Sequence, residues 1–402
     1  MSYQVPVLVP GIVAPIIYSF SFYSCTRVPV RHASSFHSHQ SMFSLATDPS
    51  IDFAIMTTDS AGITERIAEI ADATVQRLQD IVGTDAGRRG MKALIVPGDL
   101  VHASRILASL IPHQHDDDDD DDNDYNDDKD KSSLVLILTG FPCCVEESPP
   151  TETDGPPGAL ALARTAVQLG HHVKICTDDS NALVLQAAMD GVGDWAEHKT
   201  LQLEVFSSTK DEDDRMRVLA RKSCLVIACE RAGPSADGLC YTMRGINMNS
   251  YNVIAPLDRL VEYSDCPFVA IGDGGNELGM GKVMDQVKAH IPSGDKVGCV
   301  IAADYLVAAS VSNWGAYAVA AGASVMRAQQ EAISEDDFRQ KVKLWISKCL
   351  PSEQEEVDLL DRCVAKGCRD GVSGKVEATV DGMPLATSLQ CLQELRDAAL
   401  NL

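Results

Sequence analysis

The chain has 402 residues, and its 58 Asp and Glu against 34 Lys and Arg give a formal net charge of −24. That charge argues against a nucleic-acid partner, because phosphate backbones are bound by basic surfaces. Hydrophobic residues make up 45% of the chain, which excludes a wholly disordered protein and supplies material for a large core.

The amino-terminal segment differs from the rest in composition. Its first 47 residues contain no Asp or Glu, and an apolar stretch from Val5 to Tyr23 is followed by Arg27 and Arg31. Prolines interrupt that stretch, which disfavours a membrane-spanning helix. An acid-free start that carries Arg and Ser is typical of organelle transit peptides. We predict that residues 1–50 are a targeting segment outside the fold and that the protein is mitochondrial, with a plastid or cytoplasmic location as alternatives.

Two helices are predicted at the start of the folded body, residues 51–402. Apolar residues recur at helical spacing from Thr58 to Val82, and Asp99 is suited to cap a helix that runs through Ile111. Residues 116–130 then contain eleven Asp, a run that repels itself and cannot be buried. We predict a disordered acidic insertion at residues 114–131, with a dedicated cation-binding segment as the alternative.

Beyond the insertion, apolar runs rich in β-branched residues alternate with helical patterns. The predicted strands are Leu134–Leu138, Val173–Cys176, Leu201–Phe206, Cys224–Cys229, Phe268–Ile271 and Val297–Ala302. The helices between and after them are Pro157–Leu169, Asn181–Met189, Asp213–Ala220, Gly279–His290, Trp314–Gly322, Glu335–Lys348, Glu353–Cys363 and Thr387–Leu400, and a hairpin is predicted within Gly367–Gly382. This alternation predicts an α/β fold, a doubly wound, mostly parallel sheet of about six strands with helices on both faces.

Polar, Gly-rich clusters directly follow the predicted strands. They are Thr139–Gly158, Thr177–Ser180, Glu230–Gly238, Gly272–Gly281 and the single residue Asp304. Ligands of open parallel sheets bind beyond the carboxyl ends of the strands. We therefore expect these clusters to meet at one edge of the sheet and to surround one small ligand.

The cluster at Gly272–Lys282 is the strongest chemical signal. Gly274 and Gly275 allow a close backbone approach, while Asp273, Asn276 and Glu277 offer oxygen ligands to a metal ion. The spacing matches neither the phosphate-binding P-loop nor the dinucleotide fingerprint, so no nucleotide cofactor is expected. A divalent cation, Mn²⁺ or Mg²⁺, is the predicted cofactor, and a purely structural Gly-rich turn is the alternative.

Arginines and cysteines have less specific interpretations. Arg231 and Arg244 adjoin a strand-end cluster and could clamp a carboxylate with paired hydrogen bonds, or could form surface salt bridges instead. The thirteen cysteines fall mostly in apolar runs and are interpreted as small buried residues of a reducing compartment. Cys143-Cys144 and the Cys363/Cys368 pair lack the second half that a structural zinc site requires.

In this order, the clusters resemble the D-glutamate cyclase C-terminal-like family from about Ile63 to the end of the chain. The segments that carry the resemblance are Gly98-Asp99-Leu100, Thr139-Gly140-Phe141-Pro142, Glu152–Gly158, Thr177-Asp178, Glu230 with Gly233, Met243-Arg244-Gly245, Gly272–Gly279 and Ser312-Asn313-Trp314-Gly315. The resemblance implies a hydro-lyase that cyclises D-glutamate to 5-oxo-D-proline with loss of water.

The resemblance also suggests roles for individual residues. Asp154, Glu152 and Asp304 are the predicted catalytic residues, and Asp273, Asn276 and Glu277 the predicted metal ligands. The predicted substrate-binding residues are Arg244, Arg231, Thr139, Gly140, Gly274, Gly275 and Asn313. The expected partner is a small amino-acid substrate, with no nucleic acid and no membrane, and the oligomeric state stays open. The alternatives are a non-catalytic module that binds a small anion, and a phosphate- or nucleotide-binding α/β protein.

Overall fold

A computed structural model describes the backbone of residues 49–110, 133–193 and 200–402, and the side chains from residue 61 onward. The predicted targeting segment up to residue 48 and the predicted acidic insertion lie outside the described residues. The chain divides into a unit that ends at Asp52 and a compact unit, Phe53–Leu402. Apart from the first residues of the first helix, the features described below belong to the second unit.

A six-stranded parallel sheet forms the centre of this unit. Its strands lie in the spatial order β3-β2-β1-β4-β5-β6, with bounds β1 Leu134–Thr139, β2 His172–Asp178, β3 Leu201–Phe206, β4 Ser223–Cys229, β5 Phe268–Gly272 and β6 Tyr305–Ala308. All six residues of β1 are buried, because helices cover both faces of a doubly wound sheet. The predicted α/β fold class is confirmed.

Twelve helices are present in the described residues, and they cover the two faces of the sheet. Their bounds are α1 Pro49–Val82, α2 Asp99–Ser109, α3 Pro156–Gln168, α4 Ala182–Met189, α5 Asp213–Arg221, α6 Asp258–Glu262, α7 Met284–His290, α8 Gly294–Val297, α9 Ser312–Glu331, α10 Glu335–Cys349, α11 Glu353–Ala365 and α12 Leu385–Leu400. None of the helices in this described part is long and apolar enough to cross a membrane.

Helix α9 is the central helix of one face and is almost wholly buried. It packs against α2, α3, α10 and α12. Gly322 permits the approach to α2, because a Cβ at this position would lie 2.1 Å from the Ser104 Oγ. At its amino terminus, α9 is held beside the carboxyl end of β1, because the amides of Ser312 and Asn313 donate to Asp154 in the loop that follows this strand.

The prediction that Val297–Ala302 forms the last strand of the sheet is wrong. The strand that completes the sheet is Tyr305–Ala308, which pairs with β5 through Val269 and Tyr305. Two apolar runs flank Asp304, and hydrophobicity alone does not distinguish them. Residues 297–302 instead bond to loops rather than to a strand. The Cys299 amide, for example, donates to Gly275 O, in the loop that follows β5, at 3.0 Å.

Several other predicted bounds also change. The helix predicted from Gly279 begins at Met284, after a short 3₁₀ turn, because Gly279 has a positive φ of 107° that ends helical geometry. Gly98, rather than Asp99, occupies the capping position of α2. The predicted hairpin is a two-residue ribbon, β7 Thr379–Val380 with β8 Met383–Pro384, turning at Asp381.

The sheet topology creates one crevice. The neighbours β1 and β4 lie where the strand order reverses direction. The two strands stay paired up to Thr139 and Cys229, but the connections that follow them lead toward opposite sides, so the loops beyond the strand ends diverge and leave room for a ligand. The candidate site lies at this position.

Candidate active site

A cavity of about 420 Å³ lies beyond the carboxyl ends of β1, β4 and β5. Glu152 follows β1, Glu230 follows β4 directly, and Asp273 follows β5 directly; all three line the cavity. The loop before α2 and the loop before α12 complete the wall with Arg89 and Asp381. The expected meeting of distant loops at one edge is therefore present in the structure.

The Gly-rich loop after β5 is organised by one carboxylate. Glu277 accepts hydrogen bonds from the backbone amides of Asp273 at 3.0 Å, Gly274 at 2.5 Å and Gly275 at 2.6 Å. Gly275 has a φ of 102°, which favours glycine, and Asn276 donates to Tyr241 O at 2.7 Å. The loop thus holds Asp273, Gly274, Asn276 and Glu277 along the cavity wall.

Arg89 joins two acidic residues from different loops. Its guanidinium pairs with Asp273, with Asp381 at 2.7 Å and with the Ser310 carbonyl at 3.2 Å. Asp273 raises the pKa of Arg89, so the arginine stays charged. Burial raises the pKa of Asp273, and Arg89 opposes that shift. Arg89 therefore supplies the positive charge that makes two clustered carboxylates tolerable.

Glu152 and Glu230 are buried carboxyl groups with little positive charge beside them. Burial raises the pKa of Glu152, and Asp381 and Asp154 raise it further. Burial, followed by Glu277, raises the pKa of Glu230, although Ser312 Oγ donates to its Oε2 at 2.5 Å. Because both pKa values are raised, the neutral, proton-donating form of each carboxyl group is favoured more strongly than it would be in water.

Asp154 and Asn313 connect the amino terminus of α3 to the amino terminus of α9 through hydrogen bonds. The Asp154 carboxylate accepts from the amides of Ser312 and Asn313, both at 2.8 Å, at the start of α9. Asn313 Oδ1 in return accepts from the amides of Gly155 and Gly158 at the start of α3. Burial raises the pKa of Asp154 to about 8, and the two amide donors oppose it. Neither side chain lines the cavity; together with the Asn313 amide, which donates to Thr153 O at 3.2 Å, they fix the turn that directly follows Glu152.

Three predicted substrate-binding residues lie in the supporting layer below the cavity. The buried Arg231 pairs with Asp178 and donates to the carbonyls of Gly140 and Ala255. Thr139 is fully buried at the end of β1. The structure commits Arg231 to a carboxylate of the protein itself and does not place it on the cavity wall.

Asp304 is separated from the other predicted catalytic residues. It precedes β6, and its Oδ2 accepts from the amide of Phe268, the first residue of β5, at 2.8 Å. In a parallel sheet these positions mark the amino edge, opposite to the cavity. The expectation that Asp304 follows the last strand is wrong because that strand lies after it.

Two exposed arginines line the cavity, at its rim. Arg244 donates to the Val372 carbonyl at 2.9 Å, which leaves other guanidinium donors free for a ligand. Arg88 has a φ of 52° and, within the described part of the chain, no side-chain hydrogen bond or ion pair. Sequence reasoning found Arg244 but missed Arg88.

Sequence reasoning also missed residues that do not follow a strand, and it assigned no function to one residue that does. Arg89 comes from a loop between helices, and Asp381 from the ribbon near the carboxyl end of the chain. Glu230 was recognised only as part of a cluster. Gly83, Gly87 and Gly90 around the arginine pair were the available signal for the first loop.

The acidic groups offer two sets of oxygen donors. Asp154, Asp273 and Asp381 form one set, and Glu230, Asp273 and Glu277 the other, each with donor atoms within 4.8 Å of one another. Carboxylate oxygens suit hard divalent cations. Two members of the first set, Asp273 and Asp381, pair with Arg89, whereas only Asp273 of the second set does, so the second set fits a cation better.

Comparisons with known proteins match the resemblance described above. The family model described as D-glutamate cyclase-like, C-terminal, matches residues 78–396. The mitochondrial D-glutamate cyclase of Homo sapiens is 32% identical over 348 residues, which cover 81% of this chain and 52% of that protein. The chain thus spans about half the length of this curated relative.

Proposed function

The chain belongs to the D-glutamate cyclase-like, C-terminal family, and from this membership we propose that it converts D-glutamate to 5-oxo-D-proline and water. The observation that carries the proposal is the pairing, in one cavity, of buried carboxyl groups with arginines at the rim. A dicarboxylate substrate needs cationic contacts, and its cyclisation needs proton donors. The cavity supplies both.

The reaction moves two protons and one oxygen. The substrate ammonium group gives up two protons as its nitrogen forms a bond to the side-chain carboxyl carbon. The C–O bond of that carboxyl group breaks, and its oxygen leaves as water after accepting two protons. Attack on an ionised carboxylate is slow, so a group that protonates or neutralises it must be present.

We assign the proton transfers to Glu230 and Glu152. Both line the cavity and both have raised pKa values, which bring the carboxyl groups closer to the pKa of an ammonium group. The neutral form of one donates to the side-chain carboxylate, while the ionised form of the other takes a proton from nitrogen. With their protonation states thus exchanged, the first group takes the second proton from nitrogen and the second group gives its proton to the leaving oxygen, which departs as water. Asp154, which the sequence marked as catalytic, acts in this proposal as a positioning residue.

We assign the substrate α-carboxylate to Arg244. The planar guanidinium can hold a carboxylate through two parallel bonds. Arg89 is unavailable for this contact because Asp273 and Asp381 already engage it. The proposed orientation places the α-carboxylate at the rim and the reacting carboxylate among the buried acids.

A divalent cation, Mn²⁺ or Mg²⁺, is the proposed cofactor. Asp273 and Glu277 would hold it, with Asn276 on the same wall, while Glu230 keeps its role in proton transfer. Such an ion, when bound, polarises a carboxylate oxygen. If the proposal holds, turnover falls after treatment with EDTA and returns with Mn²⁺; unchanged turnover in EDTA contradicts it.

A second candidate is a non-catalytic module that binds a small anion. It is favoured by one observation, that the chain spans about half the length of the human relative. The activity in that protein's name could require its other half. Binding of glutamate without turnover would identify this alternative.

The test is direct. The purified chain is incubated with D-glutamate or with L-glutamate, with and without Mn²⁺, and 5-oxoproline is measured by mass spectrometry. We expect product from D-glutamate with loss of one water. No product from either enantiomer under any condition overturns the proposed reaction.

We also propose a mitochondrial location. The acid-free, Arg-bearing first 47 residues support it, and the human relative carries the word mitochondrial in its name. A fluorescent protein fused behind residues 1–50 should accumulate in mitochondria. Diffuse cytoplasmic fluorescence contradicts the location.

A further inference from the structure

Cys143 and Cys144 are adjacent thiols on the loop that follows β1. Their sulfur atoms lie 3.6 Å apart, and both side chains are half-buried. Cys143 lines the cavity, and its thiol contacts the carboxyl group of Glu152. Cys144 does not line the cavity wall. The pair therefore joins the proposed active site to the surface.

The surroundings of the pair favour one thiolate. The hydrogen bond from Cys143, with added attraction from Arg369 and Arg244, lowers the pKa of Cys144 to about 7. The hydrogen bond to Cys144 is the largest cause that raises the pKa of Cys143, and burial and the neighbouring Glu152 raise it further. Near neutral pH the pair thus contains one thiolate and one thiol, the combination that reacts with peroxides.

Other described cysteines lack this combination. Cys176 and Cys229 are buried in the sheet, and burial raises the pKa of each. Cys266 is half-buried, but its sulfur lies 3.3 Å from the hydroxyl of Ser223, the first residue of β4, and it precedes β5 at the amino edge of the sheet, opposite to the cavity. Selective oxidation at Cys143 and Cys144 follows from this contrast.

We propose that Cys143 and Cys144 are a modification site, a vicinal dithiol that a peroxide oxidises to a disulfide and that thereby inactivates the cavity. The Cys144 thiolate attacks a peroxide oxygen, the O–O bond breaks, and a sulfenic acid and water result. The Cys143 sulfur then attacks the sulfenic sulfur, an S–S bond forms and a second water leaves. Two thiols lose two protons and two electrons, and hydrogen peroxide accepts them and is reduced to two waters.

Oxidation changes the cavity through Glu152. The disulfide turns the Cys143 sulfur toward Cys144, so the thiol contact to the Glu152 carboxyl is lost. Gly371 packs against both groups, since a Cβ there would lie 1.8 Å from Glu152 Oε2 and 3.6 Å from the Cys143 sulfur. The carboxyl group then loses its fixed position. The loss of turnover rests on the proposed function, whereas the oxidation itself does not.

The test uses the full chain, reduced and then exposed to hydrogen peroxide. Remaining thiols are alkylated, and all thirteen cysteines are mapped by mass spectrometry. We expect the peptide with Cys143 and Cys144 to lose two hydrogens and escape alkylation. Turnover should fall about ten-fold or more, because general acid–base catalysis depends on the Glu152 position, and should return with dithiothreitol.

Two variants make the result specific. Cys144→Ser should keep its initial turnover, form no disulfide and resist peroxide, while Cys266→Ser should be inactivated like the parent protein. A thermal melt checks that both variants are folded. The proposal is overturned if the pair stays alkylatable after peroxide, or if Cys144→Ser is inactivated as fast as the parent. A parent protein without turnover overturns the proposed function, and the mass map still decides the modification site.

Discussion

At the scale of single residues, the position of Glu152 is fixed by a glycine from the opposite end of the chain. A Cβ on Gly371 would lie 1.8 Å from Glu152 Oε2, a separation that no structure tolerates. No left-handed φ is required at Gly371, so the effect of an added Cβ comes from space alone, and the Glu152 carboxyl group would have to move away from it. The carboxyl end of the chain therefore contributes directly to the cavity.

We predict that Gly371→Ala displaces Glu152 and lowers turnover about ten-fold or more, since small errors in position cost large factors in rate. Gly193→Ala is the matched control, because no atom of the described residues lies within 4 Å of a Cβ there. Steady-state kinetics of both variants measure the effect. Equal turnover in the two would show that Glu152 is not a catalytic residue.

Glu230 gives a second prediction at this scale. Glu230→Gln preserves an oxygen that accepts from Ser312 but cannot transfer a proton. We expect turnover to fall about 100-fold, the usual contribution of a general acid or base. Glu356→Gln is the control, since Glu356 is an equally buried carboxyl group between α9 and α11. A Glu230→Gln protein that retains parental turnover contradicts the assignment.

At the scale of elements, the contact between α9 and α11 contains a titrating group. Glu356 on α11 accepts a hydrogen bond from the Tyr317 hydroxyl on α9. Burial raises the pKa of Glu356 from 4.5 to about 7, and Tyr317 opposes the shift. The folded state therefore holds a proton that the unfolded chain releases at lower pH.

The sign of the pH effect follows from that proton. Below pH 4.5 both states are protonated and the stabilising contribution is complete; as the pH rises through 7 the folded state must ionise a buried acid and the contribution is lost. We predict that the free energy of unfolding of Glu356→Gln, relative to the parent, rises by about 3 kcal/mol between pH 4.5 and pH 7.5. Urea titrations at several pH values measure it. A constant difference would contradict the raised pKa.

The elements also show what the sequence could predict. Apolar runs identified five of the six strands. Helices cover both faces of β1, β4 and β5, which makes these runs apolar throughout, whereas the edge strand β3 is only partly buried. The prediction of the sixth strand was wrong because the runs on both sides of Asp304 are both short and apolar. Only the pairing of Tyr305 with Val269 across the sheet distinguishes them, and such pairing is not a local property.

At the scale of the whole molecule, the site depends on contacts between distant segments. Strand-end reasoning identified Glu152, Arg244 and Asp273, because parallel strands bring their carboxyl ends to one edge. It could not identify Arg89 or Asp381, which come from loops outside the sheet and meet Asp273 only in the folded chain. It also assigned Arg231 to the ligand, while the fold pairs it with Asp178.

The whole-molecule account holds that one cavity at the reversal point of the sheet binds and cyclises glutamate. The most direct test is a crystal structure of Glu230→Gln with D-glutamate, since this variant should bind substrate without consuming it. We predict electron density for glutamate in the cavity, with its α-carboxylate at Arg244 and its side-chain carboxylate beside residues 152 and 230. Density for glutamate elsewhere on the molecule, with the cavity empty, would contradict the account.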